Sequence, residues 1–166
     1  MIKNFIKNII NKSISFFGYN IVNKNQKIIE LTNNEKELIN LVKGYSMTPQ
    51  IRIYSLIKAL KHINQKKILG DYVECGVWKG GNIILFKKII ELTNDSSRKI
   101  FAYDTFEGMT EPDENDFEIS KNLNAKILMN KDKEKKTNIW GVCSLEDVKN
   151  NIQSNVKNID NIRFIK

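Results

Sequence analysis

Two carboxylates beside glycines are the residues of this chain best suited to hold a small molecule. The first, Glu74, lies in Gly70-Asp71-Tyr72-Val73-Glu74-Cys75-Gly76-Val77-Trp78-Lys79-Gly80-Gly81-Asn82. Val73 and Val77 are β-branched and Tyr72 is aromatic, so the stretch reads as a strand over 71–77. Gly80 and Gly81 permit a tight turn and a close approach of backbone to ligand. A helix then begins near Asn82, its free N–H groups facing the turn. The second acid, Asp104, ends another strand-like run in Lys99-Ile100-Phe101-Ala102-Tyr103-Asp104-Thr105-Phe106-Glu107-Gly108-Met109. Ligands of an open α/β sheet bind beyond the carboxyl ends of its strands. Asp104 is placed there to accept hydrogen bonds from a ribose diol. Glu74 can attract a cationic or hydroxyl-bearing group. The glycines run G-x-x-x-G-G, whereas dinucleotide sites use G-x-G-x-x-G with an acid roughly 20 residues further on. An acid ahead of the glycines would repel a pyrophosphate. A nicotinamide-dependent oxidoreductase is therefore disfavoured.

The elements that must position these acids follow from periodicity. Helical spacing is expected over residues 34–43, with Thr32 or Asn33 as cap and Glu35 and Glu37 in the first turn. Gly44 closes that helix. After a loop over Tyr45–Thr48, Thr48 is expected to cap a helix over 49–63, with Pro49 at its first position. Ile53, Leu56, Ile57 and Leu60 give it an apolar face. Residues 82–93 form the next helix and 99–104 the second strand. Glu111 to Asp116 is a solvated acidic loop, and a short helix is expected within 119–130, before a lysine-rich stretch over 131–138. Ser144 with Asp147 three positions on opens a further helix in the manner of a capping box. Residues 162–165 form a third strand. Short β-branched runs alternating with helical runs indicate an α/β fold with a parallel sheet.

Composition narrows the class. The chain has 166 residues, 41% hydrophobic, and a net charge of +8. Lysine supplies nearly all of the positive charge. Arginine, the usual reader of phosphates and bases, occurs only as Arg52, Arg98 and Arg163. No nucleic-acid partner is expected. Cys75 and Cys143 make no disulfide framework; Cys75 is expected to be buried in the first strand. The one histidine, His62, is assigned a surface or structural role. No run reaches the about 18 apolar residues of a membrane span. Residues 2–17 have amphipathic helical spacing, with Ile2, Phe5, Ile6, Ile9 and Ile10 on one side. That segment packs on the domain or a partner, with peripheral membrane contact as an alternative. Residues 1–31 thus form an amphipathic helix and connector ahead of a domain over 32–166. A soluble, reduced, cytoplasmic protein is expected.

V-E-C-G-V-W-K-G-G followed by Y-D-T-F-E-G-M resembles the macrocin O-methyltransferase (TylF) family, class I S-adenosylmethionine-dependent methyltransferases with a Rossmann-like fold. Gly44-Tyr45-Ser46-Met47-Thr48-Pro49-Gln50-Ile51-Arg52 and Ser144-Leu145-Glu146-Asp147-Val148 are also similar to that family, and the likeness covers about residues 44–166. The resemblance implies that the 44–48 loop folds over the cofactor. It places Tyr45, Met47, Thr48, Glu74, Gly76, Trp78, Gly80, Gly81, Asp104, Thr105 and Phe106 at the S-adenosylmethionine site. Glu74 would bind the donor's ammonium or orient the turn, and a structural acid pairing with the turn's N–H groups is the alternative. Trp78 and Phe106 would line the nucleoside pocket or pack the core. The family is associated with magnesium, whose ligands and the catalytic base are not found in this chain.

The third strand closes the sequence. A parallel sheet is normally covered on both faces, and one flank would be bare here. The expectation is the cofactor-binding part of a longer enzyme, truncated after its third strand and inactive by itself. It would methylate a sugar hydroxyl of a natural product or surface glycan, and a homo-oligomer is the expected assembly. A non-catalytic binding or assembly module is the competing class.

Overall fold

The computed structural model describes residue 10, residues 31–95, 97–118, 123–132 and 134, and residues 138–166. The chain divides into two units, Met1–Thr32 and Asn33–Lys166. The amphipathic segment expected over 2–17 lies outside the described residues, Ile10 excepted.

The second unit opens with α1 (Asn33–Val42) and α2 (Gln50–Gln65). It continues with β1 (Tyr72–Cys75), α3 (Gly81–Thr93) and β2 (Ile100–Tyr103). A two-stranded antiparallel piece, β3 (Phe117–Glu118) with β4 (Leu123–Asn124), then leads into α4 (Ala125–Met129). Last come α5 (Leu145–Gln153) and β5 (Ile162–Ile165). The main sheet has the order β1-β2-β5, all parallel. Tyr72, Ile100 and Ile162 share one register level, and Cys75, Tyr103 and Ile165 another. The three carboxyl ends are therefore level, and the turns after β1 and β2 meet at one edge. The ladder runs one step further: Gly76 N–H donates to Tyr103 O and Asp104 N–H to Ile165 O.

The core lies on one face of this sheet. Tyr72, Ile100, Ala102 and Ile162 point to it and are buried. α3 fills it, with Ile83, Ile84, Leu85 and Ile89 fully inaccessible or nearly so. Each such side chain contributes roughly 1.5–3 kcal/mol relative to staying exposed. α1, α2 and α5 pack around α3. Glu35, buried on α1, receives Lys58 and Lys61 of α2 at 3.4 and 3.3 Å, tying the two helices together. Tyr72 packs its ring on Phe86 and accepts from Asn64 of α2, at 2.8 Å, through its hydroxyl.

The other face is bare among the described residues. Side chains alternate along a strand, so Val73, Cys75, Tyr103 and Arg163 share it. Val73 is 56% and Tyr103 41% exposed. Cys75, expected in the core, is exposed: it has the same parity as Val73, whereas the expectation followed from its lying within a core strand. Among the described residues β1 has a partner on one side only.

Other expectations shift at boundaries. β1 stops at Cys75 because Gly76 adopts φ 89°, a conformation that ends a strand. Pro49, not Thr48, stands at the cap position of α2, and no side chain caps that end. Thr48 N–H instead donates to Ser46 Oγ at 3.0 Å. Of the helix expected within 119–130, residues 119–122 lie outside the described residues, Leu123–Asn124 form β4, and the helix is found as α4. Ser144 does cap α5: its Oγ accepts from Asp147 N–H at 3.1 Å and donates to Asp147 Oδ2 at 2.6 Å. His62 is exposed. No helix among the described residues is long and apolar enough to cross a membrane.

Candidate functional site

The level carboxyl ends of β1 and β2 bring the two acids together as expected, but with different partners. Asp104 lies on the turn after β2. Its Oδ2 accepts the backbone N–H of Val77 at 2.6 Å and of Trp78 at 3.0 Å; its Oδ1 accepts Phe106 N–H at 2.8 Å. Partial burial pushes this carboxyl up. The N–H groups of Phe106, Trp78 and Val77, with the Thr105 hydroxyl, outweigh it and hold Asp104 below the ordinary carboxylate range. Trp78 and Phe106 carry φ 49° and 55°, which side chains other than glycine adopt at a cost. Asp104 accepts the N–H of both, so it helps to hold two strained residues in place.

Glu74 points the other way, into the protein. Its Oε1 accepts from Asn82 Nδ2 at 2.7 Å, in the first turn of α3. Its Oε2, Asn82 Oδ1 and Trp78 Nε1 are buried without a partner. Burial raises the Glu74 pKa from 4.5 to about 7; the Asn82 hydrogen bond opposes that and the Asp104 charge adds to it. The acid that pairs with the turn's N–H groups is thus Asp104, not Glu74.

The glycines divide by what surrounds them. A Cβ on Gly81 would lie 2.7 Å from Tyr45 O, the atom that accepts Gly81 N–H at 3.0 Å. Gly81 is small because the 44–48 loop sits on it. A Cβ on Gly80 (φ 89°) would meet Ile152 at 3.0 Å, so this glycine serves the contact with α5. Gly76 alone combines positive φ with open space in this turn. It is the point where a ligand can reach the backbone.

The remaining expected residues take varied positions. Tyr45 reaches the turn through its carbonyl, Met47 is exposed, and Thr48 sits just before α2. Thr105 Oγ1 accepts Glu107 N–H at 3.3 Å, within its own turn. Phe106 is buried against Phe164, ring centroids 6.4 Å apart, and so packs the core. Trp78 is half-buried, with Lys79 Nζ 4.6 Å from its ring centroid. A cleft of about 460 Å³ beside the turn is bounded by Tyr45, Lys79, Cys143, Asp147 and Asn151. Burial and then Asp147 push the Cys143 thiol up, which suits packing better than nucleophilic attack. A larger cavity, about 720 Å³, lies at the amino ends of the strands by Asn64, Thr93 and Arg98. There the Arg98 guanidinium is engaged by Asp95, Gly70 O and Ile68 O, which makes it a structural staple. No group of three His, Cys, Asp or Glu able to hold a metal occurs among the described residues.

Asn82 was not among the expected residues. Its signal was present: an amide in the first turn of a helix faces back toward the acid of the preceding strand.

Comparison with known proteins bears on the family and the fold. Residues 5–166 match the family Macrocin-O-methyltransferase (TylF). A curated relative is 8-demethyl-8-(2,3-dimethoxy-alpha-L-rhamnosyl)-tetracenomycin-C 4'-O-methyltransferase of Streptomyces olivaceus. It is 31% identical over 68 residues, which cover 41% of this chain and 26% of the relative. Among solved structures, the O-methyltransferase NovP is similar with a TM-score of 0.59 and 18% identity, over 79% of this chain and 62% of NovP. That likeness speaks to the fold. The chain therefore spans less than two thirds of either relative. With a matching profile over nearly its whole length and a methyltransferase-like arrangement of strands, the chain belongs to the macrocin O-methyltransferase (TylF) family.

Proposed function

We propose that this chain carries the S-adenosylmethionine-binding part of an O-methyltransferase whose acceptor is a sugar hydroxyl of a natural product or glycan. One observation carries the reading: Gly76, open to a ligand, lies between Glu74 and the Asp104-braced turn at the level ends of two parallel strands. A donor with an amino-acid tail, a sulfonium and an adenosine needs such a place. Family membership supports the reaction class, and the curated relative's name, a 4'-O-methyltransferase of a rhamnosyl compound, supports the sugar acceptor.

The residues fit this donor. Gly76 lets the backbone approach the amino-acid tail without a Cβ. Asp104, and Glu74 once ionised, bring negative charge toward a cationic ligand. Asp104 has already committed both oxygens to N–H groups, so its first task is to shape the turn, with ribose contact from its remaining acceptor capacity. When bound, the donor supplies an electrophilic methyl group. The chain's own contribution is to hold that donor in one orientation, since in-line displacement depends on alignment. Magnesium, which the family resemblance implies, would find no group of three His, Cys, Asp or Glu to hold it among the described residues.

Calorimetric titration with S-adenosylmethionine, with NADH as control, tests the reading. Saturable binding of the first and none of the second is expected; the reverse would restore the oxidoreductase. The sheet face that no described residue covers favours a second reading, a binding or assembly module without turnover. Methyl transfer to any member of a panel of glycosides would rule the second reading out.

A further inference from the structure

Glu74 and Asn82 present two planar groups joined by a single hydrogen bond, Asn82 Nδ2 to Glu74 Oε1 at 2.7 Å. The second oxygen of each, Glu74 Oε2 and Asn82 Oδ1, is shut away from water and has no partner. Both are acceptors if Glu74 is a carboxylate. A buried acceptor left unpaired is strongly unfavourable, and two from one hydrogen-bonded pair are more so. One proton removes both faults. A carboxylic acid and a primary amide are complementary: each has one donor and one acceptor on the same edge.

We infer that Glu74 is a neutral carboxylic acid in the cofactor-free chain, its hydroxyl donating to Asn82 Oδ1, and that binding of the donor's ammonium drives this proton off. The inference rests on the proposed S-adenosylmethionine site. Ionisation breaks the Oε2–H bond and leaves the electron pair on oxygen; the proton goes to solvent, and the carboxylate then faces a cation.

The surroundings agree. Burial and the Asp104 carboxylate at the end of β2 favour the neutral form of Glu74, while the side-chain N–H of Asn82 on α3 opposes them without prevailing. Asp104 stays charged because N–H groups surround it, so it is Glu74 that gives up its charge. Two ionised carboxylates in one site are disfavoured until a positive ligand arrives. Asn82 is then a positioning residue: its amide edge pairs with the acid that burial keeps neutral, and it fixes the plane in which the carboxylate appears.

Linkage gives the size of the effect. While Glu74 is protonated, donor affinity rises about tenfold for each pH unit, and it levels off near neutrality. The test is titration of the whole chain with S-adenosylmethionine at about pH 6, in two buffers of different protonation enthalpy, where about one proton should be released per donor bound. Glu74→Gln should abolish the release and melt no lower than the parent, because its amide N–H can donate to Asn82 Oδ1 as the hydroxyl did. Donor binding without proton release by the parent, or with release that persists in Glu74→Gln, overturns the inference and leaves the donor site standing. If no donor binds, the donor reading has failed. The acid–amide pair is then judged in the cofactor-free chain by its infrared carbonyl band. A protonated-carboxyl band that titrates near neutrality supports the pair, and its absence rejects it. Isotope-labelled glutamate assigns the band if the variant does not fold.

Discussion

Asp104 Oδ2 lies 2.6 Å from the backbone nitrogen of Val77, 27 residues earlier in the chain. One side chain thereby fastens the turn after β2 to the turn after β1. With Trp78 and Phe106 N–H also bound to it, Asp104 fixes the shape of the site before any ligand enters.

Asp104→Asn should therefore act on the empty protein. An amide can match only some of these donors, and its own N–H would oppose a backbone N–H. Hydrogen bonds to charged groups contribute about 1.5–3 kcal/mol each, so a loss of about 2 kcal/mol is expected. Donor affinity should fall about tenfold, the equivalent of 1.4 kcal/mol. Thermal melting and calorimetric titration check both. An unchanged melting temperature with weakened binding would return Asp104 to a purely ligand-contacting role.

The two acids give opposite pH dependences. Glu74 is raised from 4.5 to about 7, so the folded chain holds the proton more tightly than the unfolded one. Stability should fall by about 3 kcal/mol as pH rises from about 4.5 to about 7, then stay level. Asp104 is lowered; its contribution is present above the unfolded carboxylate value and is lost as pH falls through the folded one. Melting curves against pH for the parent and Glu74→Gln should differ between about pH 4.5 and 7, with the fall absent in the variant. Equal slopes would contradict the assignment to Glu74.

Gly81→Ala and Gly76→Ala should separate loop packing from ligand access. The first places a methyl 2.7 Å from Tyr45 O, an overpacking that costs about 1–3 kcal/mol. The second meets nothing, but φ 89° makes a side chain there unfavourable by about 1–2 kcal/mol. Gly76→Ala should reduce donor affinity by more than its effect on melting accounts for. If Gly81→Ala alone weakens binding, the donor runs under the 44–48 loop instead.

Arg98→Lys is the control at the far end of the strands. It removes the fork that holds Gly70 O at 2.6 Å and Ile68 O at 2.5 Å. Loss of such a buried, paired guanidinium costs about 3 kcal/mol, and donor affinity should not change in the protein that remains folded. A changed affinity would mean that the two ends of the sheet are coupled.

Much of this was legible in the sequence. The three parallel strands, α2, α3 and α5, and the placing of Glu74 and Asp104 at one edge all follow from period and turn chemistry. The illegible remainder depends on tertiary neighbours. The roles of the acids were divided differently, because which carboxylate meets the turn's N–H groups depends on strand register. Gly80 and Gly81 read as ligand-facing glycines, since sequence cannot tell a methyl-sized gap filled by Ile152 or Tyr45 from one left for a guest. Cys75 read as core because it lies within a core strand, and which face it takes depends on strand parity and on what packs there.

The face left open by the described residues makes Cys75 useful. Cys143 is buried, so Cys75 is the one exposed thiol of the two, and it stands at the carboxyl end of β1 on the open side. Whatever comes to lie on that side would shield it. The alkylation rate of a single native sulfur thus reports, without any engineered label, whether the bare half of the sheet has been covered.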